Sequence, residues 1–185
     1  MKQNRENPFF ETYRTPFGTP PFDQIETEQY EPAFDEGIWQ LDEEVRAIAD
    51  NTELPTFENT IIALERSGKL LDKVISAFFN VLNAEADDEM MDISQRVSPK
   101  LSESSNNIYL NEQLFARVKS VYDRKDELHL PMEDARLLEK TFEAFCARGA
   151  ALGPEEKEKY RKLSSELSLL SLTFDQNALK DKNRY

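Results

Sequence analysis

The sequence predicts an all-α fold, an irregular antiparallel bundle of about six helices preceded by an extended N-terminal strap. Apolar residues recur at spacings of three and four along most of the chain, which is the period of helices that bury one face. Only 5 of the 185 residues are glycine, which favours helices over a turn-rich β fold. This length is enough for a domain with a core of its own. We therefore expect residues 1–25 to form the strap and residues 26–185 a helical domain.

The strap combines prolines with aromatic side chains and has neither a helical nor an alternating period. Its aromatic residues are too many for a free tail: Phe9, Phe10, Tyr13, Phe17 and Phe22. We expect them to fill grooves of the same molecule, and the alternative is that they dock on another domain or on a partner.

The first two predicted helices carry long apolar stripes. The first begins near Thr27 and ends before Pro55, with an apolar stripe formed by Tyr30, Phe34, Ile38, Leu41, Val45 and Ile48. Thr56 is the expected N-cap of the second. The second is expected to be the central helix and to run through Gly68, which leaves room for a close neighbour. Its stripe is Phe57, Ile61, Leu64, Gly68, Leu71, Ile75, Phe78 and Leu82.

A third helix is expected from Asp87 or Asp88, with an apolar stripe of Met90, Ile93, Val97, Leu101 and Ile108. Pro99 falls inside this pattern, so it marks either a kink or the first position of a new helix. Asn111 is the expected cap of a fourth helix, which turns inward Leu114, Phe115, Val118, Val121 and Tyr122.

The fifth helix is predicted to start at Pro131 and to end at Gly149, which readily adopts a left-handed cap. Its expected inward residues are Ala135, Leu138, Phe142 and Phe145. Gly153 and Pro154 open a sixth helix that shows no stop signal before Tyr185, which suggests that the natural chain continues. Its expected inward residues are Tyr160, Leu163, Leu167, Leu170, Phe174 and Ala178.

Composition excludes several classes of function. The formal net charge is −13 with acidic residues along the whole chain, so binding to a nucleic-acid backbone is not expected. No apolar run approaches the length of a membrane span, and the N-terminus lacks a signal-peptide core, so no membrane partner is expected. The single cysteine excludes an internal disulfide framework. We expect a cytoplasmic protein, or a periplasmic one if a signal peptide was removed.

The candidate chemical groups all have structural explanations. His129 is the single histidine and precedes Pro131, so we interpret it as a residue of a helix connection. Cys146 lies beside the stripe of the fifth helix, where a buried structural thiol is more common than a nucleophile. Carboxylates cluster at residues 42–44, 85–89 and 155–158, at helix starts or on polar faces, where caps and solvated side chains are the usual interpretation.

One stretch of the sequence resembles part of a known protein family. Residues 78–123, which begin FFNVLNAEADDEMMDISQRVSPK, resemble the N-terminal region of bacterial peptidyl-dipeptidases of the thimet oligopeptidase family of zinc metallopeptidases. Residues 7–38, the stretch LPTFENTIIALERSG at residues 54–68, and residues 137–179 are similar to other parts of that region in the same order. The resemblance covers nearly the whole chain, and its specificity lies in the order and separation of the segments.

The resemblance implies a parent enzyme whose zinc is bound by a His-Glu-x-x-His helix and a distant Glu in a C-terminal catalytic region. The single histidine means that no catalytic, cofactor-binding or metal-binding residue can be assigned to this chain, which is expected to be inactive alone. Its expected partners are the C-terminal catalytic domain of the same polypeptide and, in the parent, an oligopeptide substrate. By resemblance the chain forms one wall of a channel that admits short peptides. Release of dipeptides and internal cleavage are both compatible with the sequence.

A different interpretation is a stand-alone helical interaction module that has lost the peptidase domain. Such a module should close its own core and present a uniformly polar surface. A part of a larger protein should instead expose an apolar surface larger than a monomer usually shows.

Overall fold

The computed structural model describes residues 7–85 and 87–182. The first six residues of the predicted strap and the last three residues of the predicted sixth helix lie outside that range. No strand occurs within the described ranges, and the predicted all-α class is confirmed.

The helices account for most of the described chain. Three short 3₁₀ turns precede them at Pro8–Phe10, Pro16–Gly18 and Thr27–Gln29. The helical elements are α1 (Tyr30–Ala49), a π-helical turn (Phe57–Ile62) continuing into α2 (Ala63–Arg66), α3 (Lys69–Glu85), α4 (Asp88–Tyr109), α5 (Glu112–Tyr122), α6 (Met132–Ala147) and α7 (Pro154–Lys182). A 3₁₀ turn at Lys125–Glu127 lies between α5 and α6.

The chain forms two compact units. The first contains the residues up to Leu41, Gly68–Lys100 and the chain from Leu169, and the second contains Asp42–Ser67 and Leu101–Ser168. The division into a strap at residues 1–25 and one helical domain stays a prediction.

Aromatic side chains fill the core of the first unit. Phe34 and Phe78 are fully buried and meet edge to face, with ring centroids 5.2 Å apart. Tyr30 packs on Phe78 at 5.0 Å and on Phe9 of the strap at 5.3 Å. Such pairs contribute roughly 0.5–1.5 kcal/mol each beyond the area they bury. The strap is thereby fixed to α1 and α3 through Phe9.

The core of the second unit lies against α5. Leu114, Val118 and Val121 are fully buried on one face of α5, and Leu138 and Phe145 of α6 are buried as well. The inward face of α5 predicted from the spacing of its apolar residues is therefore confirmed.

Predicted helix ends are confirmed at four positions. The Thr56 hydroxyl accepts a hydrogen bond from the Asn59 backbone N–H at 3.0 Å, and the Asn111 side chain accepts one from that of Leu114 at 3.0 Å. The Asp87 carboxylate accepts from the N–H of Met90 at 2.8 Å. The fourth is the left-handed glycine after α6, Gly149, with φ +88°.

The predicted second helix is wrong in one respect, because it breaks at Gly68. Gly68 has φ +75°, a left-handed conformation that a continuous helix does not contain. Ser67 before it is extended, and its hydroxyl donates to the Leu64 carbonyl at 2.6 Å, closing α2. A Cβ at Gly68 would lie 3.2 Å from the Leu41 side chain, so the predicted close neighbour is present.

Two further predictions concern Pro99 and Ala135. Pro99 lies within α4, which continues across it, so no new helix begins there. Ala135 was expected to face inward, and this is wrong: it is exposed in the first turn of α6, where it lines an open groove.

Lys73 of α3 holds the strap. Its ammonium donates to the carbonyls of Phe9 at 2.8 Å and Glu11 at 2.7 Å, and it lies 3.8 Å from the centre of the Tyr13 ring. Burial raises the pKa of Tyr13 to about 12, with a smaller contribution from Tyr30.

The strap aromatics divide between the two alternatives. Phe9 is buried in its own unit, whereas Phe10 and Phe22 are half exposed. Phe17 is fully exposed and has φ +60°, in a turn where Thr19 donates its hydroxyl hydrogen to the Pro16 carbonyl at 3.2 Å. Phe9 therefore fills a groove of the same molecule, and Phe17 faces solvent.

Candidate functional site

The single histidine lies at the edge of an open groove in the second unit. His129 is exposed, with φ +47°, in the connection between α5 and α6. The groove has a volume of ≈ 790 Å³, and the side chains of Tyr122, Leu130 and Leu138 supply apolar walls. Within residues 7–85 and 87–182, no three His, Cys, Asp or Glu side chains are grouped so that they could hold a metal ion.

Cys146 was expected to be a buried thiol, and this is wrong. Its side chain is exposed at the end of α6, because Phe145 takes the buried position of that turn. Consecutive residues of a helix point about 100° apart, so a cysteine directly after a buried phenylalanine can lie outside the buried face.

The carboxylate clusters act as caps and surface partners. Asp42 accepts a hydrogen bond from the Ser104 hydroxyl at 3.0 Å, and Glu43 pairs with Arg46 one turn along α1. At the start of α7, the Glu156 carboxylate accepts from the Gly153 backbone N–H at 3.1 Å. Each of these carboxylates has a structural role that needs no substrate.

Polar side chains attach the first half of α7 to α4 and α5 within the second unit. The Asn106 side chain exchanges hydrogen bonds with the Ser164 hydroxyl at 2.8 and 3.1 Å. Arg161 donates to the Asn107 side chain at 2.9 Å. Lys157 is 7% exposed, and its ammonium donates to Glu112 at 3.0 Å. Residues 157, 161 and 164 share one helical face, so α7 turns a polar face inward.

The opposite face of α7 is apolar and exposed. Its large side chains keep most of their surface in solvent: Leu163 65%, Leu167 64%, Leu170 62% and Phe174 72%. Leu163 and Leu167 belong to the second unit, and Leu170 and Phe174 belong to the first. We call these four residues, each described by its own exposure, the α7 seam. Together these side chains expose on the order of 400 Å² of apolar surface, a size at which surface patches are often binding sites.

The sixth predicted helix is therefore confirmed in its start and wrong in its orientation. Tyr160 is half-buried, whereas Leu163, Leu167, Leu170, Phe174 and Ala178 were expected inside and are exposed. The physical reason lies on α4, where Asn106 and Asn107 bond Ser164 and Arg161 and so select the polar face of α7. These two asparagines were the signal in the sequence that could have predicted the orientation.

The chain is similar to known peptidases over almost its whole length. No protein-family model matches it. The chain is 43% identical, over 94% of its length, to a dipeptidyl carboxypeptidase of Escherichia coli (strain K12), of which it covers 25%. It is 39% identical over the same share to a dipeptidyl carboxypeptidase of Salmonella typhimurium, again covering 25%. The chain is therefore similar, over almost its whole length, to peptidases of the thimet oligopeptidase family.

More distant members of this peptidase family match over nearly the same length. Oligopeptidase A of Escherichia coli is 23% identical over 89% of the chain, which covers 24% of that protein. The chain thus spans about a quarter of the length of the curated relatives it matches, and the resemblance seen in the sequence is confirmed. Among the helices that the structure describes, none is long and apolar enough to cross a membrane.

Proposed function

We propose that the chain is the non-catalytic, N-terminal helical region of a cytoplasmic zinc-dependent peptidyl-dipeptidase. In this proposal it forms one wall of the channel through which short peptides reach the catalytic region of the same polypeptide. Two relatives at 43% and 39% identity carry the name dipeptidyl carboxypeptidase, which supports an exopeptidase that releases dipeptides.

The observation that carries the proposal is the α7 seam. A helix that turns its polar face inward and its leucines outward is unfavourable in water, because burying a Leu or Phe side chain stabilises by about 1.5–3 kcal/mol. With about two thirds of each seam side chain exposed, covering all four would stabilise by roughly 4–8 kcal/mol. The exposed apolar face of α7 differs from the uniformly polar surface expected of a stand-alone module. The covering element we propose is the remaining polypeptide, which in the relatives is three times as long as the matched part.

The zinc of the proposed parent does not fit this chain. His129 is exposed on the groove edge, and no cluster of three potential ligands is found among the described residues. We therefore propose that the metal and the groups that activate water belong to the catalytic region. The contribution of this chain is geometric: a wall positions a peptide and excludes folded substrates.

The test compares the 185-residue chain with the product of the complete gene, each with added zinc, on an N-terminally blocked oligopeptide. We expect cleavage by the complete product alone, with dipeptides leaving from the C-terminus, as read by mass spectrometry of the products over time. Internal cleavage would replace the peptidyl-dipeptidase assignment with an oligopeptidase one. Cleavage by the purified 185-residue chain, or by neither protein, would contradict the proposal.

A further inference from the structure

The middle of the strap is exposed between two buried ends. Phe9 is 1% exposed at the first end, and Pro21 is buried at the second. The Asn7 side chain, next to the first end, also donates to the Gln29 carbonyl at 2.8 Å. Between the two ends most side chains are exposed. Residues 10–20, which we call the strap loop, therefore form a loop with two fixed ends.

The strap loop forms part of the wall of a groove in the first unit. The groove has a volume of ≈ 630 Å³. Phe10 and Thr12 line it from the strap loop, Glu36 lines it from α1, and Leu70 lines it from α3. A movement of the strap loop away from α3 would therefore open this groove.

One side chain of α3 attaches the strap at three points. The Lys73 ammonium donates to the carbonyls of Phe9 at 2.8 Å and Glu11 at 2.7 Å, and it lies 3.8 Å from the centre of the Tyr13 ring. Hydrogen bonds from a charged donor are stronger than bonds between neutral groups, and a cation is also attracted to the face of an aromatic ring. Loss of this ammonium would remove all three contacts together.

The Tyr13 hydroxyl opposes this attachment. It is buried and has no hydrogen-bond partner within residues 7–85 and 87–182. A hydroxyl that leaves water without gaining a partner is unfavourable, because its hydrogen bonds to water are lost. When the strap loop moves away from α3, the hydroxyl recovers those bonds. The ammonium of Lys73 thus stabilises the closed position of the strap loop, and the hydroxyl of Tyr13 destabilises it.

We propose that the strap loop is a lid that opens reversibly over this groove, held closed by Lys73 and kept only weakly closed by the buried Tyr13 hydroxyl. The two groups should then act in opposite directions. Removal of the ammonium favours the open lid, whereas removal of the hydroxyl favours the closed one. This inference depends on contacts within the first unit alone, so it does not require the proposed function.

The experiment measures the rate at which trypsin cuts the Arg14–Thr15 bond, read by mass spectrometry early in the digestion. Arg14 is the single Lys or Arg within residues 7–25, and it lies in the middle of the strap loop. A protease must extend several residues of the loop, so the cutting rate follows the fraction of molecules with an open lid.

The two test variants are Lys73→Met and Tyr13→Phe, the second of which keeps the aromatic ring. The matched control is Lys69→Met, because Lys69 lies one turn earlier on α3, is exposed and lines the same groove. Cutting after Arg96, inside α4 of the same unit, reports opening of the whole unit. All variants are made in the product of the complete gene. A synthetic peptide of residues 10–20, with and without Tyr13→Phe, corrects for any preference of trypsin for the neighbouring side chain.

We expect Lys73→Met to accelerate cutting after Arg14 by at least about tenfold and Tyr13→Phe to slow it by at least about threefold. Lys69→Met should change this rate by less than about twofold, and cutting after Arg96 should change by less than about twofold in every variant. Equal rates in Lys73→Met and Lys69→Met would overturn the proposal. Equal acceleration after Arg14 and Arg96 would also overturn it, because the whole unit would then open. Faster cutting in Tyr13→Phe would show that the hydroxyl stabilises the closed lid, contrary to the proposal.

Discussion

Arg117→Met should destabilise the second unit strongly, because Arg117 joins α5 to the connection and the π-helical turn that precede α2. Its side chain is only 7% exposed. One terminal nitrogen donates to the carbonyls of Asn51 at 2.5 Å and Glu53 at 3.0 Å. The other donates to the side chains of Asn59 at 3.0 Å and Thr60 at 3.3 Å. A single guanidinium therefore donates to four acceptors on one segment, of which the Asn59 oxygen also accepts from the Thr56 N–H and the Thr60 hydroxyl.

The magnitude follows from those four bonds. A hydrogen bond to a charged group contributes about 1.5–3 kcal/mol, but bonds to a shared donor are not additive, and the freed carbonyls near the edge can recover water. We expect a net loss of about 3–5 kcal/mol in the free energy of unfolding. For a chain of this size each kcal/mol lowers Tm by about 2–4 °C, so the expected decrease is roughly 6–20 °C.

The assay is thermal unfolding followed by circular dichroism, with hydrogen exchange as a local readout. Amide exchange should accelerate first at residues 51–60, where the lost acceptors lie. The matched control is Lys119→Met on the same helix, whose exposed ammonium pairs with Asp123 at 2.5 Å. Exposed pairs contribute about 0–1 kcal/mol, so this control should change Tm by less than about 4 °C.

The reasoning would be refuted if Arg117→Met and Lys119→Met lowered Tm equally. It would also fail if exchange at residues 51–60 were unchanged in the Arg117 variant, since the segment would then be held by other contacts.

Two other predictions follow from the first unit. Tyr13 should ionise near pH 12, since burial raises its pKa above the ordinary 10; its contribution to stability is fully present below pH 10 and is lost as pH rises from 10 to about 12. Absorbance titration of phenolate should show a late component that Tyr13→Phe reduces, because burial also raises the pKa of Tyr30. An unchanged late component in that variant would contradict the assignment. Gly68→Ala should lower the free energy of unfolding by about 1–2 kcal/mol, because φ is +75° and the new Cβ would lie 3.2 Å from Leu41. Gly153→Ala is the control, since its Cβ would lie 3.7 Å from the flexible end of Glu156; equal losses in chemical denaturation would count against the backbone argument.

The sequence predicted the helices well because caps and apolar spacing are local properties. Thr56, Asp87 and Asn111 each bond a backbone N–H three residues ahead, which requires nothing beyond the segment itself. The break at Gly68 was missed because the four-three spacing of apolar residues continues across it. Spacing reports which side chains share a face, and a glycine can change the backbone without changing that spacing.

The orientation of α7 could not be read from its own residues. An apolar stripe shows that a face is to be buried, but it does not state which neighbour buries it. Within the second unit the neighbour of the first half of α7 is polar, because Asn106 and Asn107 bond its serine and arginine side chains. Periodicity alone therefore predicted the stripe correctly and its surroundings wrongly.

The polar attachment of α7 has a consequence for the entropy of association. Hydrogen bonds are directional, so the bonds from Arg161 and Ser164 fix the rotation of the helix about its own axis. Apolar contacts, which have no preferred direction, would allow that rotation. The leucines consequently point outward in one direction before anything covers them. A partner that packs on this face does not have to fix the orientation of α7 first, so the conformational entropy lost on binding is smaller.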